Sequence, residues 1–378
     1  MKVLKAVCGL VMFAVLASHV WSMSHWSEAR GVYDDVCYLR QAHLFQQFGL
    51  GGLDTRVSRD DDHYLSSKLK EIGYGSADDL STAPCHTIMP ATAKMVLQYP
   101  PGTGFVLALF PQGFQAIPLY VTATIIIFGF GLLALYYARA SSSVVLAGFI
   151  GCLAVYLMIN PVKASYSMAP TMVVCAFAGW LTARLFLAPH GPRRLVLAGL
   201  VGLLIGLAVN FRLPNLLLSS GYFLFFLGAF LWSRKAETFL QGVLFLAGFL
   251  TGMAPTLLAN MINAGSPFST TYGSGDAAPP DLSFSVVRSY LADMQFVLLL
   301  LAVAWTLAML RNLRGTGATG LALVTAGNLA ANLVFFMSHP VFTPYYTIPI
   351  AMLSLWSLLF GFLMQPPAWP LPQAAKAL

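Results

Sequence analysis

Asp34 and Asp35 stand side by side soon after the first apolar run of the chain, in the stretch Tyr33-Asp34-Asp35-Val36-Cys37-Tyr38-Leu39. A carboxylate held near a bilayer surface, partly desolvated and beside a cation, has a tunable proton affinity and can take a proton from a hydroxyl or amine nucleophile. If Tyr33 opens a helix, both acids also fall in its first turn, where backbone N–H groups favour negative charge whatever the function. Neighbours on a helix diverge by about 100°, so the pair divides its work: one residue as base, the other binding or orienting.

Two other groups of residues have chemical reach. Asp60-Asp61-Asp62-His63 offers carboxylate oxygens of the kind that suit Mg²⁺, Mn²⁺ or Ca²⁺. Its spacing matches no defined loop, and a solvated acidic face paired with Arg56 and Arg59 accounts for it equally. Arg212 sits in Asn210-Phe211-Arg212-Leu213-Pro214-Asn215, a tight polar break between two apolar runs. A guanidinium there either snorkels to headgroups or grips a lipid-linked phosphate. Lys94, Lys163 and Arg288 are further cations on the same side. His19, His339-Pro340 and Tyr345-Tyr346 read as interface residues, and no histidines pair at metal-ligand spacing. The chain has no P-loop, dinucleotide fingerprint, serine elbow or HExxH helix.

The elements that must position these residues are membrane helices. Of 378 residues, 58% are hydrophobic and 9% charged, against about a quarter charged in a soluble domain. Long apolar runs recur almost to the C-terminus, so the fold class is an all-α polytopic membrane protein. About ten spans are expected, at 5–22, 118–138, 141–159, 166–187, 193–210, 214–232, 237–260, 291–310, 317–337 and 343–363. The first, rather than a cleaved signal peptide, reads as an anchored span, because Ala17-Ser18-His19 and Ser22-Met23-Ser24 are imperfect cleavage matches. Simple alternation puts Lys2, Lys5, Arg139, Arg184, Arg193, Arg194, Arg234, Lys235, Arg311 and Arg314 on one side. That side is the cytoplasm by the positive-inside rule, and both termini lie there. Of the 14 carboxylates, all but Glu237 fall in or beside segments on the other side. The formal charge of +7 is divided among short loops on both faces, which gives no footing for nucleic acid.

One domain, residues 1–363, is expected, with a short cytoplasmic tail at 364–378. Its first long extracytoplasmic loop, 23–102, holds most of the acids. Tyr33 to Phe48 reads there as a weakly amphipathic helix with Cys37, Leu44, Phe45 and Phe48 largely on one side, and Ser66 to Ile72 as a second short helix. Tyr99-Pro100-Pro101-Gly102 ends regular structure and turns the chain back to the membrane. The apolar segment 103–117 is too short to cross. A second long external loop, 261–290, is rich in Gly, Ser, Pro and Asp. Cys8, Cys152 and Cys175 lie in apolar runs. Cys37 and Cys85 share the first loop, and either they form a disulfide on an oxidising side or Cys37 packs on its helix.

Three stretches resemble the GT-C superfamily of membrane glycosyltransferases. They are the acid pair in Tyr33–Leu39, then Gln98-Tyr99-Pro100-Pro101-Gly102-Thr103-Gly104, then Asn260-Met261-Ile262-Asn263-Ala264-Gly265-Ser266-Pro267-Phe268 leading to Thr271-Tyr272-Gly273. Within it the layout looks like the bacterial dolichyl-phosphate-mannose–protein mannosyltransferase-like and aminoarabinose-transferase-like enzymes, in a compact form without a large soluble C-terminal domain. The resemblance implies an inverting transfer from a polyprenyl-phosphate-linked sugar to an extracytoplasmic acceptor (glycan, lipid or protein), in a bacterial inner membrane. It casts Asp34 or Asp35 as the catalytic aspartate and Arg212 and Lys94 as ligands of the donor phosphate. Tyr38, Tyr99, Pro100, Pro101 and Gly102 would line the cavity. Some relatives use a divalent cation, Mg or Mn, and Asp60, Asp61 and Asp62 are the available ligands for one. The competing class is a transporter or flippase of a lipid-linked or small polar substrate. Transporters usually set polar groups near the bilayer midplane, whereas here the polar residues gather outside the spans.

Overall fold

A computed structural model describes residues 1–28, 33–158, 165–272, 283–292, 294–311, 316–338 and 344–365. Ten apolar helices lie where the hydropathy places spans: α1 (Lys2–Met23), α5 (Ala116–Tyr137), α6 (Ser141–Leu157), α7 (Met168–Leu187), α8 (Pro192–Val209), α9 (Ser220–Ser233), α10 (Ala236–Ala264), α12 (Met294–Arg311), α13 (Thr316–Ser338) and α14 (Pro344–Met364). Eight of the described helices are long and apolar enough to cross a membrane, α9 being counted with the 3₁₀ segment Leu213–Ser219 before it. The other two, α6 and α12, are shorter apolar helices. Four short helices complete the set: α2 (Tyr33–Phe48), α3 (Tyr64–Glu71), α4 (Gly102–Leu107) and α11 (Phe284–Leu291). The expected tail beyond residue 365 lies outside the described residues, as do Lys163, Arg314 and His339-Pro340.

The bundle is centred on α14, whose apolar stretch is 89% buried by protein, whereas that of α1 is 17% buried and faces outward. Trp356 and Phe360 of α14 meet Phe130 of α5, and Trp356 lies over Gly179 of α7. In lipid there is little hydrophobic gain from bringing two helices together, so close contact depends on small residues. The α8–α10 pair shows this: a Cβ on Gly202 or Gly206 would collide with the backbone of Phe245 or Phe249.

Helix α10 runs four residues further than its expected span, so the second long loop begins at Gly265 rather than at 261. It does so despite Pro255, which supplies no N–H to the ladder. The amide of Asn210 repairs the neighbouring rung. Its Nδ2 donates to Gly252 O at 2.6 Å and its Oδ1 accepts from Thr256 N at 3.0 Å. These are two backbone groups that an uninterrupted helix would join to each other.

Residues 33–107 form a polar lobe over one end of the bundle. Two helices are where the periodicity puts them, α2 and α3. The lobe also contains something the sequence reading did not anticipate, an antiparallel hairpin of β1 (His86–Met89) and β2 (Lys94–Leu97), with His86 opposite Leu97 and Met89 opposite Lys94. Four residues per strand is too short for alternation to show in the sequence. Val36, Leu65, Leu69, Ala77 and Ala83 make a small core of the lobe's own. Cys37 and Cys85 are disulfide-bonded and tie the first turns of α2 to the hairpin.

Helix α2 is not the half-wet amphipathic helix expected. Every residue from Asp35 to Phe45 is buried. Its polar side chains are tolerated there because each finds a partner. Arg40 donates to the carbonyls of Thr55 and Arg56 and to His86 Nε2, and Gln41 accepts from Gly104 N. His43 meets Asp62 at 2.6 Å.

Contacts among the connecting segments fall into two groups. Glu28 accepts from the N–H groups of Gln115 and Ala116 at the start of α5, and Thr55 N donates to Asn263 Oδ1 at the end of α10. The second joins the lobe to the end of α10, and the first ties the segment after α1 to the start of α5. At the opposite end, Lys5 donates to Tyr136 O, and Glu237 accepts from Gly191 N. The one acid apart from the rest therefore ties the first turn of α10 to the turn before α8.

Candidate functional site

Five stretches separated in sequence, at 34–38, 98–103, 165–167, 210–215 and 271–272, converge where the lobe meets the bundle. Gln98-Tyr99-Pro100-Pro101-Gly102 is fixed along its whole length. Gln98 O accepts from Thr271 Oγ1 at 2.7 Å, Tyr99 O accepts from Gln41 Nε2, and Gly102 N donates to Asn210 O at 2.7 Å. Gly102 is required there, since a Cβ would meet the Asn210 backbone. Thr103 Oγ1 donates to Phe211 O. The break that carries Arg212 is held in turn by Asn215, whose Nδ2 donates to Ala208 O and to Thr171 Oγ1. The rigid turn after α8 and the Tyr-Pro-Pro-Gly corner are thus one assembly, and Thr271-Tyr272 docks onto it.

The acid pair enters this assembly from the start of α2, and its members part company. Asp35 is 1% exposed and accepts from Tyr166 N at 3.1 Å, pinning α2 to the segment that leads into α7. Asp34 is only half-buried, and its Oδ1 accepts from the Tyr99 hydroxyl at 2.6 Å. Divergence around the helix separates the two directions.

Tyrosines fill the space around Asp34. The Tyr38 ring stacks on Tyr99 at 4.8 Å, and Tyr272 tilts against Tyr99 at 6.2 Å. Ser165 and Ser167 hydrogen-bond to each other at 3.0 Å, and both lower the Tyr38 hydroxyl's proton affinity. Arg212, 8% exposed, lies with its guanidinium 4.7 Å over the Tyr346 ring of α14. Burial pushes the hydroxyls of Tyr38, Tyr99 and Tyr272 well above the ordinary phenol range. Asp34 pushes all three further up, and Arg212 draws Tyr38 and Tyr272 part of the way back. The three stay protonated at neutral pH, and Tyr99 donates to Asp34. Asp34 is held by Tyr99, and Arg212 directly follows Asn210 and Phe211, whose carbonyls accept from Gly102 and Thr103, so the acid and the arginine singled out in the sequence stand at two ends of one hydrogen-bonded corner.

Of the remaining residues of interest, the two prolines belong to the corner, and Lys94 and the Asp60–Asp62 run have partners of their own. The Lys94 amine donates to Ile262 O near the end of α10 at 3.1 Å and stands 3.9 Å from Asp54. Pro100 and Pro101 are buried in the corner. Asp60 accepts from Leu65 N at 2.8 Å and stands 4.0 Å from Arg40 Nε. Asp62 takes His43, Gln47 Nε2 and Tyr64 N, and Asp61 is exposed. Among the described residues no three His, Cys, Asp or Glu side chains gather as metal ligands. The residues present do not fit a divalent cation at Asp60–Asp62, because Asp60 is buried beside Arg40 and Leu65 N and Asp62 is taken by His43. Burial and the adjacent Arg40 charge hold His86 down to about 3, so it is neutral and accepts from Arg40 while its Nδ1–H donates to Pro84 O.

Sequence reasoning did not find Ser165, Tyr166 and Ser167, whose polar run before α7 was the available signal. It also took Tyr346 for an interface anchor. A ring placed under a guanidinium looks the same in sequence as one placed among headgroups. Compared with family models, with curated proteins and with solved structures, the chain has no significant match.

Proposed function

We propose that this protein is an inverting glycosyltransferase of GT-C type that moves a sugar from a polyprenyl-phosphate-linked donor to an extracytoplasmic acceptor. The observation that carries the reading is the corner that joins Asp34, through Tyr99, to the turn bearing Arg212, with one acid half-open and its neighbour locked. Asp34 takes the proton of an acceptor hydroxyl or amine as that atom bonds to the anomeric carbon. The bond from the anomeric carbon to the phosphate oxygen breaks, and the polyprenyl phosphate leaves with the electron pair. Arg212 stabilises the leaving charge, an interaction that strengthens as the charge develops. The hydroxyls of Tyr38 and Tyr272 supply neutral donors for sugar oxygens, the Tyr99 proton being taken by Asp34. The polyprenyl chain stays in the bilayer beside the helices, so the donor reaches the site sideways. The disulfide of the lobe supports an oxidising compartment on that side, in keeping with a bacterial inner membrane and cytoplasmic termini.

The test is a transfer assay in nanodiscs against a panel of polyprenyl-phosphate sugars, with and without chelator. Sugar transfer that Asp34→Asn abolishes is expected. Vectorial uptake of a substrate into proteoliposomes, with no transfer from any donor, would replace this reading by the transporter alternative.

A further inference from the structure

A hydrogen bond of 2.6 Å joins Tyr99 to Asp34, and its two partners are held very differently. Asp34 stands in the first turn of α2 and is half-buried. Tyr99 is fixed from every direction: by its own carbonyl, by Thr271 on the carbonyl before it, by two buried prolines and the Gly102–Asn210 bond after it, and by the stacked Tyr38 ring. Among the described residues no second group donates to Asp34. A fixed donor on one oxygen restricts the torsion of a carboxylate, and the other oxygen keeps its lone pairs for an incoming proton. Tyr272 and Tyr38 lie near but do not donate to Asp34, so neighbourhood and hydrogen bond can be separated by mutation.

We infer that Tyr99 is a positioning residue. Its hydroxyl holds Asp34 by Oδ1 and presents Oδ2 to the acceptor's proton. This rests on the transferase reading for its consequence in turnover, but the clamp itself can be measured without it. Asp34 is mapped by mass spectrometry after brief treatment with a water-soluble carbodiimide and glycine ethyl ester, in nanodiscs, for the parent protein, Tyr99→Phe and Tyr272→Phe. Release of Oδ1 in Tyr99→Phe is expected to raise Asp34 labelling several-fold, while Tyr272→Phe leaves it unchanged and both variants keep the parent's melting temperature. With whichever donor proves active, Tyr99→Phe should lower kcat about tenfold with KM within about twofold, the loss of one hydrogen bond to a charged group felt at the chemical step. Equal Asp34 labelling in the parent and Tyr99→Phe would overturn the inference whatever the transfer assay gives. So would a rise in KM alone. Raised labelling in a protein that transfers no sugar would uphold the clamp and remove the transferase reading instead.

Discussion

The bundle and the lobe are built on opposite principles. Contacts within the bundle are mostly apolar or between small residues, and many positions tolerate a neighbour of similar volume. The lobe has a core of only a few apolar side chains and is held by named polar pairs. Arg40, fully buried, reaches two carbonyls and a histidine, with Asp60 at 4.0 Å. Asn263 ties the lobe to the bundle through Thr55 N and Leu53 O. Where the two meet, one face of the site is supplied by each: Asp34 and the Tyr-Pro-Pro-Gly corner by the lobe, Arg212 and Tyr346 by the bundle. A damaged lobe should therefore leave a folded membrane protein without chemistry, and a damaged bundle should leave nothing.

The sharpest separation comes from Asp34→Asn, which removes the proposed base without altering packing. Transfer should fall by about 10²–10⁴-fold, while the melting temperature in detergent stays put. Full activity would leave the acid–arginine locus without the role given to it. Arg40→Ala comes next. Deleting one member of a buried charge network costs about 3–5 kcal/mol. Hydrogen exchange should show the lobe opening while α7 and α14 keep their protection, and equal loss in both regions would erase the contrast drawn here. Asn210→Ala tests the joint. It leaves Gly252 O and Thr256 N without their bridge beside Pro255, at about 1–3 kcal/mol, and it should loosen α10 and the Arg212 turn together.

Acid provides the mildest probe. His86 is held at about 3 in the folded lobe against 6.5 when unfolded. Between those values the unfolded lobe binds the extra proton, so stability is fully present above pH 6.5 and declines as pH falls toward 3. Asp62 loses stability in the same direction at lower pH. Burial disfavours its ionised form, but His43 and its other donors outweigh that and hold the carboxyl below its usual value. Limited proteolysis at pH 5 should therefore cut the lobe faster than at pH 7.5, with the bundle unaffected. His86→Gln should flatten that dependence, and a pH-independent cutting rate in the parent would show that the buried histidine does not govern the lobe.

The sequence determined where the apolar helices lie, because a span needs about 20 apolar residues and little else. It marked α2 to the residue and placed both Asp34 and Arg212 at polar breaks beside spans. It could not show that α2 is enclosed on all sides, since Arg40, Gln41 and His43 look solvent-facing until their partners, up to 63 residues away, are in place. Nor could adjacency in the chain say which aspartate is locked and which is open. The direction of Asp35 is set by Tyr166 and that of Asp34 by Tyr99, two residues from different loops. Hydropathy is a sum over neighbours and survives being read one residue at a time. A hydrogen bond depends on two groups arriving within about 3 Å of each other, and only the folded chain decides which two those are.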